Sequence, residues 1–144
     1  LLLDGIGDTI RVSLTEDPVE EIYAAERILR ACGLRRDYAE VVACPTCGRC
    51  EWNSMALAQE VERLTFAVRE HIKVAVMGCV VNGPGEAKDC DLGIAGGKDK
   101  CVIFRRGEPY KTVPANRARE EFLAEIGVLL EEKSKEKDGT DDAD

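Results

Sequence analysis

An α/β fold is predicted by three observations. Apolar residues at period two alternate along the chain with apolar residues at helical period, two of the strands so marked each run into a cysteine and then a loop, and 144 residues suit one compact domain. The chain is 44% hydrophobic and 33% charged, which excludes a disordered protein and a large multi-domain assembly. Its formal charge of -8 disfavours nucleic acid, which needs a broad basic face. Half of that excess lies in Glu131 to Asp144, where seven acids meet three lysines. The longest apolar run, Val74 to Val81, has eight residues, against the roughly 20 that a membrane-spanning helix needs. A soluble protein with neither a membrane nor a nucleic-acid partner is expected.

The elements follow in order. Thr9 to Leu14 alternates apolar Ile10, Val12 and Leu14 with polar Thr9, Arg11 and Ser13, the period of a strand that carries Arg11 and Ser13 on one face. A helix follows, with Asp17 as N-cap, Pro18 in the first turn, Glu20 at capping-box spacing and Gly33 as its stop. Val19, Ile22, Ala25, Leu29 and Cys32 form its inward stripe, which makes Cys32 a small core residue. Val41 to Ala43 is a strand running into Cys44. A second helix starts near Asn53 or Ser54 with the stripe Leu57, Val61, Leu64, Val68 and Ile72, and His71 lies by its end, where the dipole suits an imidazolium. The strand from Lys73 to Val80 delivers Cys79 to the loop from Val81 to Ala87.

Gly93, Gly96 and Gly97 precede a hairpin whose arms are Cys101 to Arg105 and Tyr110 to Val113, turning at Arg106 to Pro109. Ala115 to Glu132 is the last helix, with Phe122, Ile126 and Leu129 inward, and the acidic stretch from Ser134 is expected to fray. There is no repeat of solenoid type. The chain opens on Leu1 at the lead-in to a strand, which sets the expectation of a piece of a longer protein. Seven cysteines, an odd number, with no signal sequence ahead of them, set the expectation of a thiol-preserving, cytoplasmic setting.

Cys44-Pro45-Thr46-Cys47 at a strand end lets two thiolates face one metal centre, a signal of moderate specificity by itself. A thioredoxin-like dithiol would need its cysteines to open a helix, whereas Gly48 and Cys50 intervene here. A zinc ribbon wants a second C-x-x-C, and Cys79 and Cys90 stand eleven positions apart. A ferredoxin run begins with Cys44, Cys47 and Cys50 but meets Ser54 and Met55 where its closing Cys-Pro belongs.

Ala43-Cys-Pro-Thr-Cys-Gly-Arg49, Met77-Gly-Cys-Val-Val-Asn-Gly-Pro-Gly-Glu-Ala87 and Asp91-Leu-Gly-Ile-Ala-Gly-Gly97 together resemble the carboxyl-terminal part of the 4-hydroxy-3-methylbut-2-enyl diphosphate synthase family. The front of the chain, Asp4 to Thr15 and Asp17 to Glu21, resembles that family's last barrel strand and helix, so that only the acidic tail lies outside the likeness. The resemblance implies the end of a (β/α) TIM-type barrel over residues 1–36. By the same resemblance an α/β cluster-binding domain of the sulfite and nitrite reductase type follows over 37–133, and the composition of 134–144 sets the expectation of a disordered acidic tail.

It further implies a [4Fe-4S] cluster held by Cys44, Cys47, Cys79 and Glu86. Three thiolates and one carboxylate make chemical sense, because an oxygen ligand is harder and more readily displaced than a thiolate, leaving one iron open to substrate. That substrate is 2-C-methyl-D-erythritol 2,4-cyclodiphosphate, opened and dehydroxylated with two electrons in isoprenoid precursor synthesis. Glu86 follows Gly83-Pro84-Gly85, a stretch able to present a carboxylate, the plainer alternative being an exposed turn glutamate. Asn82 becomes a substrate-contacting amide, with a turn-forming asparagine as its alternative. Arg11 and Ser13, at a barrel strand's end, would hold the diphosphate, the alternative for Arg11 being a pair with an acid such as Asp8.

Cys50 departs from the family pattern, which has a small polar residue there, and Cys90 and Cys101 fall outside the motifs. Without Glu86 as a ligand, Cys50 and Cys90 are the next candidates. Lys98, Lys100, Arg105 and Arg106 read as a solvated basic face. A flavodoxin or ferredoxin would supply electrons, and the family's homodimer sets the barrel of one subunit against the cluster domain of the other. The competing function classes are an electron-transfer or cluster-carrier module and a structural zinc domain.

Overall fold

The computed structural model describes residues 1–81 and 83–138, with the side chains of Pro84, Glu86, Lys137 and Asp138 outside the description. The chain forms two compact units, Leu1–Asp37 and Tyr38–Asp144. Among the described residues no helix is long and apolar enough to cross a membrane.

In the first unit a 3-10 turn, Leu2–Asp4, precedes an irregular segment and helix α1, Pro18–Ala31. The strand expected over Thr9 to Leu14 is absent. A period-two pattern becomes a strand only where a second backbone supplies the ladder, and no described segment pairs with this one. Asp17 caps α1 as expected, its Oδ1 accepting from the Val19 N–H at 2.9 Å. The reach back across the first turn falls to Glu21, whose Oε1 accepts from the Leu14 N–H at 3.1 Å. At the other end Gly33, at φ 69°, closes a Schellman motif: its N–H donates to the Arg30 carbonyl and that of Leu34 to the Leu29 carbonyl, both at 2.9 Å. Arg35 then spans Glu26 and Asp37 at 2.7 Å each, and these acids hold its guanidinium above the usual range, the Asp37 hydrogen bond most.

The expected stripe of α1 is not buried. Val19 and Ile22 are 49% and 61% exposed, and Ala25, Leu29 and Cys32 are half-buried, so Cys32 sits at the helix C-cap rather than in a core.

The second unit is a mixed five-stranded sheet. Its strands are β1 (Ala39–Ala43), β2 (Ile72–Met77), β3 (Leu92–Gly96), β4 (Lys100–Arg105) and β5 (Glu108–Pro114), side by side in that order. β1, β2 and β3 run parallel, and β4 and β5 extend the sheet as an antiparallel hairpin. The helices are α2 (Ser54–Thr65), the single turn α3 (Gly83–Glu86) and α4 (Ala118–Asp138), the last entered through a 3-10 turn at Ala115–Arg117.

Alternation along the strands sorts two cores. Ile72, Val74, Val76, Leu92, Ile94 and Ile103 pack with Leu57 and Val61 of α2 and Phe122, Ile126 and Leu129 of α4. Ala75, Met77, Ala95 and Phe104 point to the opposite face, with Ala87 and Cys90. Arg105 ties β4 to α4 through Glu125 at 3.3 Å and Glu132 at 3.1 Å, and lies 5.0 Å over the Tyr110 ring, so it is a packing cation rather than part of a free basic face.

Four expectations change. α2 stops at Thr65 with Leu64 59% exposed, and Ile72 opens β2 instead of extending the helical stripe, because an apolar series at 68, 72, 74 and 76 fits either period. His71 therefore stands before a strand, its ring edge-on to Tyr38 at 6.0 Å. β3 is a strand that its glycines conceal: a Cβ at Gly93 would lie 2.3 Å from the Phe104 ring and one at Gly96 2.1 Å from the Trp52 indole, so glycine is what lets each ring lie on the backbone. The hairpin turns on Arg106 and Gly107 alone, at φ 49° and 81°, the type I′ geometry that matches strand twist. Pro109 stands inside β5, tolerated because this is an edge strand. Finally α4 runs on to Asp138, so 134–138 are helical, and the rest of the expected tail lies outside the described residues.

Candidate functional site

The parallel strands β1 and β2 deliver their cysteines from adjacent ends. The Cys44 N–H prolongs the β1 ladder by donating to the Val76 carbonyl at 3.0 Å. The chain then bends sharply: Thr46 takes a left-handed φ of 54°, costly for a β-branched residue, and the Cys50 N–H closes a turn on the Cys47 carbonyl at 3.0 Å. Cys50 fastens the far end of this loop. Its Sγ lies 3.1 Å from the Trp52 carbonyl and 3.3 Å from the hydroxyl of buried Ser54, in the first turn of α2. Asn53 caps that helix, accepting from the Ala56 N–H at 3.2 Å.

β2 ends at Met77, and Gly78 passes the chain to Cys79. A Cβ on Gly78 would stand 3.1 Å from both the Cβ and Sγ of Cys50 and 3.6 Å from the Cys44 Sγ, so the two cysteine segments approach across a bare backbone. The Trp52 Nε1 joins them again by donating to the Met77 carbonyl at 3.2 Å. α3 is tied back at its start, the Gly83 N–H donating to the Cys79 carbonyl at 3.2 Å.

Between these segments lies a pocket of about 260 Å³ lined by Cys44, Cys47 and Cys79, with walls from Pro45, Met77, Gly78 and Gly83, and with Arg49 as its one ionised side chain among the described residues. Cys79 is buried, Cys44 half-buried and Cys47 exposed, a gradient from floor to mouth. Among the described residues no three His, Cys, Asp or Glu side chains stand close enough together to hold one metal ion. A cubane spreads its thiolates over different irons, so it calls for cysteines around a cavity rather than about a point. Thiolate donors are the soft ligands that iron–sulfur clusters use. The residues present fit such a group.

Of the other residues singled out in the sequence, Asn82 lies outside the described residues and Glu86 is described only by its backbone, the last residue of α3. Arg11 and Ser13 are exposed in the irregular segment of the first unit. Cys90 and Cys101 are buried and do not line the pocket. Burial pushes the Cys90 thiol up to about 11 and raises that of Cys101, so both are held as neutral core thiols. Cys50 does not line the pocket either, its sulfur being engaged by Trp52 and Ser54. Sequence reasoning missed Arg49 and Trp52, although both stand beside the C-x-x-C and Trp52 is the chain's one tryptophan.

Comparison with known proteins gives the family. The GcpE protein C-terminal domain family matches residues 40–128. The 4-hydroxy-3-methylbut-2-en-1-yl diphosphate synthase (flavodoxin) of Nitratidesulfovibrio vulgaris is 55% identical over 138 residues, covering 95% of this chain and 36% of that protein. The enzyme of the same name from Caldanaerobacter subterraneus is 55% identical over 133 residues, covering 92% and 38%, and that of Geobacter sulfurreducens 50% identical over 133, with the same coverage. The chain thus spans little more than a third of the length of these curated relatives. Because the family match takes in β2 to β5, all but the first residue of β1 and both cysteine segments, the chain belongs to the GcpE protein C-terminal domain family.

Proposed function

We propose that this chain is the carboxyl-terminal part of a 4-hydroxy-3-methylbut-2-enyl diphosphate synthase, and that its pocket holds a [4Fe-4S] cluster through Cys44, Cys47, Cys79 and Glu86. The observation that carries the reading is the opening of two strand-delivered cysteine segments onto one pocket in a chain of that family. When bound, the cluster supplies electrons and a Lewis-acidic iron to the reductive opening of 2-C-methyl-D-erythritol 2,4-cyclodiphosphate.

The chain's own residues do the rest. The clamped Cys44 to Cys50 loop and the bare backbone at Gly78 hold the thiols in place, while Pro45 and Met77 keep the pocket wall apolar. Glu86 leaves one coordination place exchangeable, and Asn82 meets the substrate beside it. Arg11 and Ser13 bind the diphosphate from the end of a TIM-type barrel. The domain from about residue 37 is of the sulfite and nitrite reductase type. A flavodoxin or ferredoxin donates the electrons, and the complete protein works as a cytoplasmic homodimer in which a barrel faces the partner's cluster domain.

The test is to reconstitute the protein anaerobically with iron and sulfide, record optical and electron-paramagnetic-resonance spectra, and compare Glu86→Cys and Glu86→Ala in a complete enzyme matched for iron. Glu86→Cys should keep the cluster and lose turnover. Near-normal rates in both variants would leave an electron-transfer or carrier module, and a colourless protein holding only zinc would end both iron–sulfur readings.

A further inference from the structure

Arg49 is the residue of the pocket that the proposed ligand set leaves unused. It is exposed, it lines the cysteine pocket, and among the described residues it makes no ion pair. The side chains that line the pocket with it are the thiols of Cys44, Cys47 and Cys79 and the apolar surfaces of Pro45 and Met77. Its backbone is held on both sides. The Cys44 N–H is tied to Val76 and that of Cys50 to Cys47, each at 3.0 Å, and the Cys50 sulfur is engaged by Trp52 and Ser54. A guanidinium is charged at every working pH, so its effect on the pocket is constant.

We infer that Arg49 tunes the redox chemistry of this pocket: its fixed positive charge stabilises the reduced state of the bound cluster and so raises the reduction potential. This rests on the reading that the pocket holds an iron–sulfur cluster. Loading gathers thiolates and a carboxylate in a small space with apolar walls, and reduction adds one further electron. In each such step an external one-electron reductant is oxidised, and no bond to the protein forms or breaks. Beside a cation the added negative charge is held more favourably than it would be beside a neutral side chain. Arg49 acts here on the electron-accepting group and is not itself a catalytic residue.

The complete, cluster-loaded enzyme provides the test. Arg49→Gln, Arg49→Lys, Arg49→Met and Lys135→Gln, a control on α4 beyond the Glu132 that pairs with Arg105 at the far end of β4, are matched for iron and sulfide and titrated with dithionite through mediator dyes, with the spin signal of the reduced state as readout. The midpoint should move to more negative potential in Arg49→Gln and Arg49→Met, return most of the way in Arg49→Lys, and stay put in Lys135→Gln. Equal midpoints in wild type and Arg49→Gln overturn the inference, as does an equal shift in Lys135→Gln, which would reduce it to bulk charge. Loss of iron in both neutral variants would make Arg49 a structural residue and overturn it too. A wild-type protein that takes up no iron instead overturns the cluster reading itself.

Discussion

The indole of Trp52 lies on the bare backbone of Gly96, so close that a Cβ there would stand 2.1 Å from its Nε1. The same nitrogen donates to the Met77 carbonyl at 3.2 Å. One side chain thus braces the loop that follows the C-x-x-C against both β2 and β3, and the positions of Cys44 and Cys79 depend on it jointly. Trp52→Phe should keep most of the ring packing and lose the hydrogen bond, at about 1 kcal/mol, whereas Trp52→Ala should cost about 3 kcal/mol. Urea unfolding followed by far-ultraviolet circular dichroism would check this, since either variant removes the only tryptophan. Equal losses in the two variants would mean that the ring packing contributes nothing.

Cys50 is a structural thiol, held by the Trp52 carbonyl and the Ser54 hydroxyl. Cys50→Ser can make both contacts, so it should bind iron as wild type does, and Cys50→Ala should bind slightly less through a looser loop. Cys47→Ser and Cys79→Ser should lose most of the iron. If Cys50→Ser were the variant that emptied, Cys50 would have to be counted among the ligands.

How far the sequence revealed this site depends on which residues carry local signals. Asp17, Asn53 and Gly33 declare helix ends through their own side chain or backbone freedom, and each is found where expected. The two strand-to-cysteine deliveries are equally local. β3 was not legible, because Gly93 and Gly96 are chosen by rings from Phe104 and Trp52 that reach them only in the folded sheet. The strand expected at Thr9 to Leu14 failed for the converse reason, since its pattern is local but its pairing is not. The one cation among the pocket's described residues was hidden too, because lining is a property of the fold whereas Arg49 in the sequence is one more surface arginine.

Gly78 stands where the two cysteine segments approach each other. Gly78→Ala sets a methyl 3.1 Å from the Cβ and Sγ of Cys50, which must give by a few tenths of an ångström, and in ordinary contact with the Cys44 sulfur at 3.6 Å. The expected cost is about 1–3 kcal/mol, with a larger fractional loss in iron uptake than in helix content, since the displaced Cys50 fastens the loop that carries Cys44 and Cys47. Iron and sulfide analysis after reconstitution, set beside circular dichroism of the same sample, separates the two. Full uptake in Gly78→Ala would show that the loop adjusts freely.

The last prediction concerns alkaline stability. Cys90 is 2% exposed on the core face shared by Ala75, Met77 and Phe104, and desolvation there drives its thiol up to about 11, with Lys73 opposing and Glu40, Asp91 and Asp89 assisting. In the unfolded chain the same thiol ionises near 8.5. Between those values the native state holds a proton that the unfolded state has released, so stability falls as pH rises, by at most about 1.4 kcal/mol per pH unit from this group, and levels off once the native thiol also ionises. Below about pH 8 Cys90 contributes no slope. Cys101 is raised by burial as well and adds in the same direction, which leaves a residual slope in any single variant. Urea midpoints for wild type and Cys90→Ala at pH 7, 8, 9 and 10 isolate the effect, because every other titrating group is common to both. Wild type should lose more stability than Cys90→Ala across that window, and the two curves should run parallel from pH 7 to 8. Parallel curves up to pH 10 would mean that Cys90 ionises in the folded protein as readily as in the unfolded one, and that its burial is not felt by the thiolate.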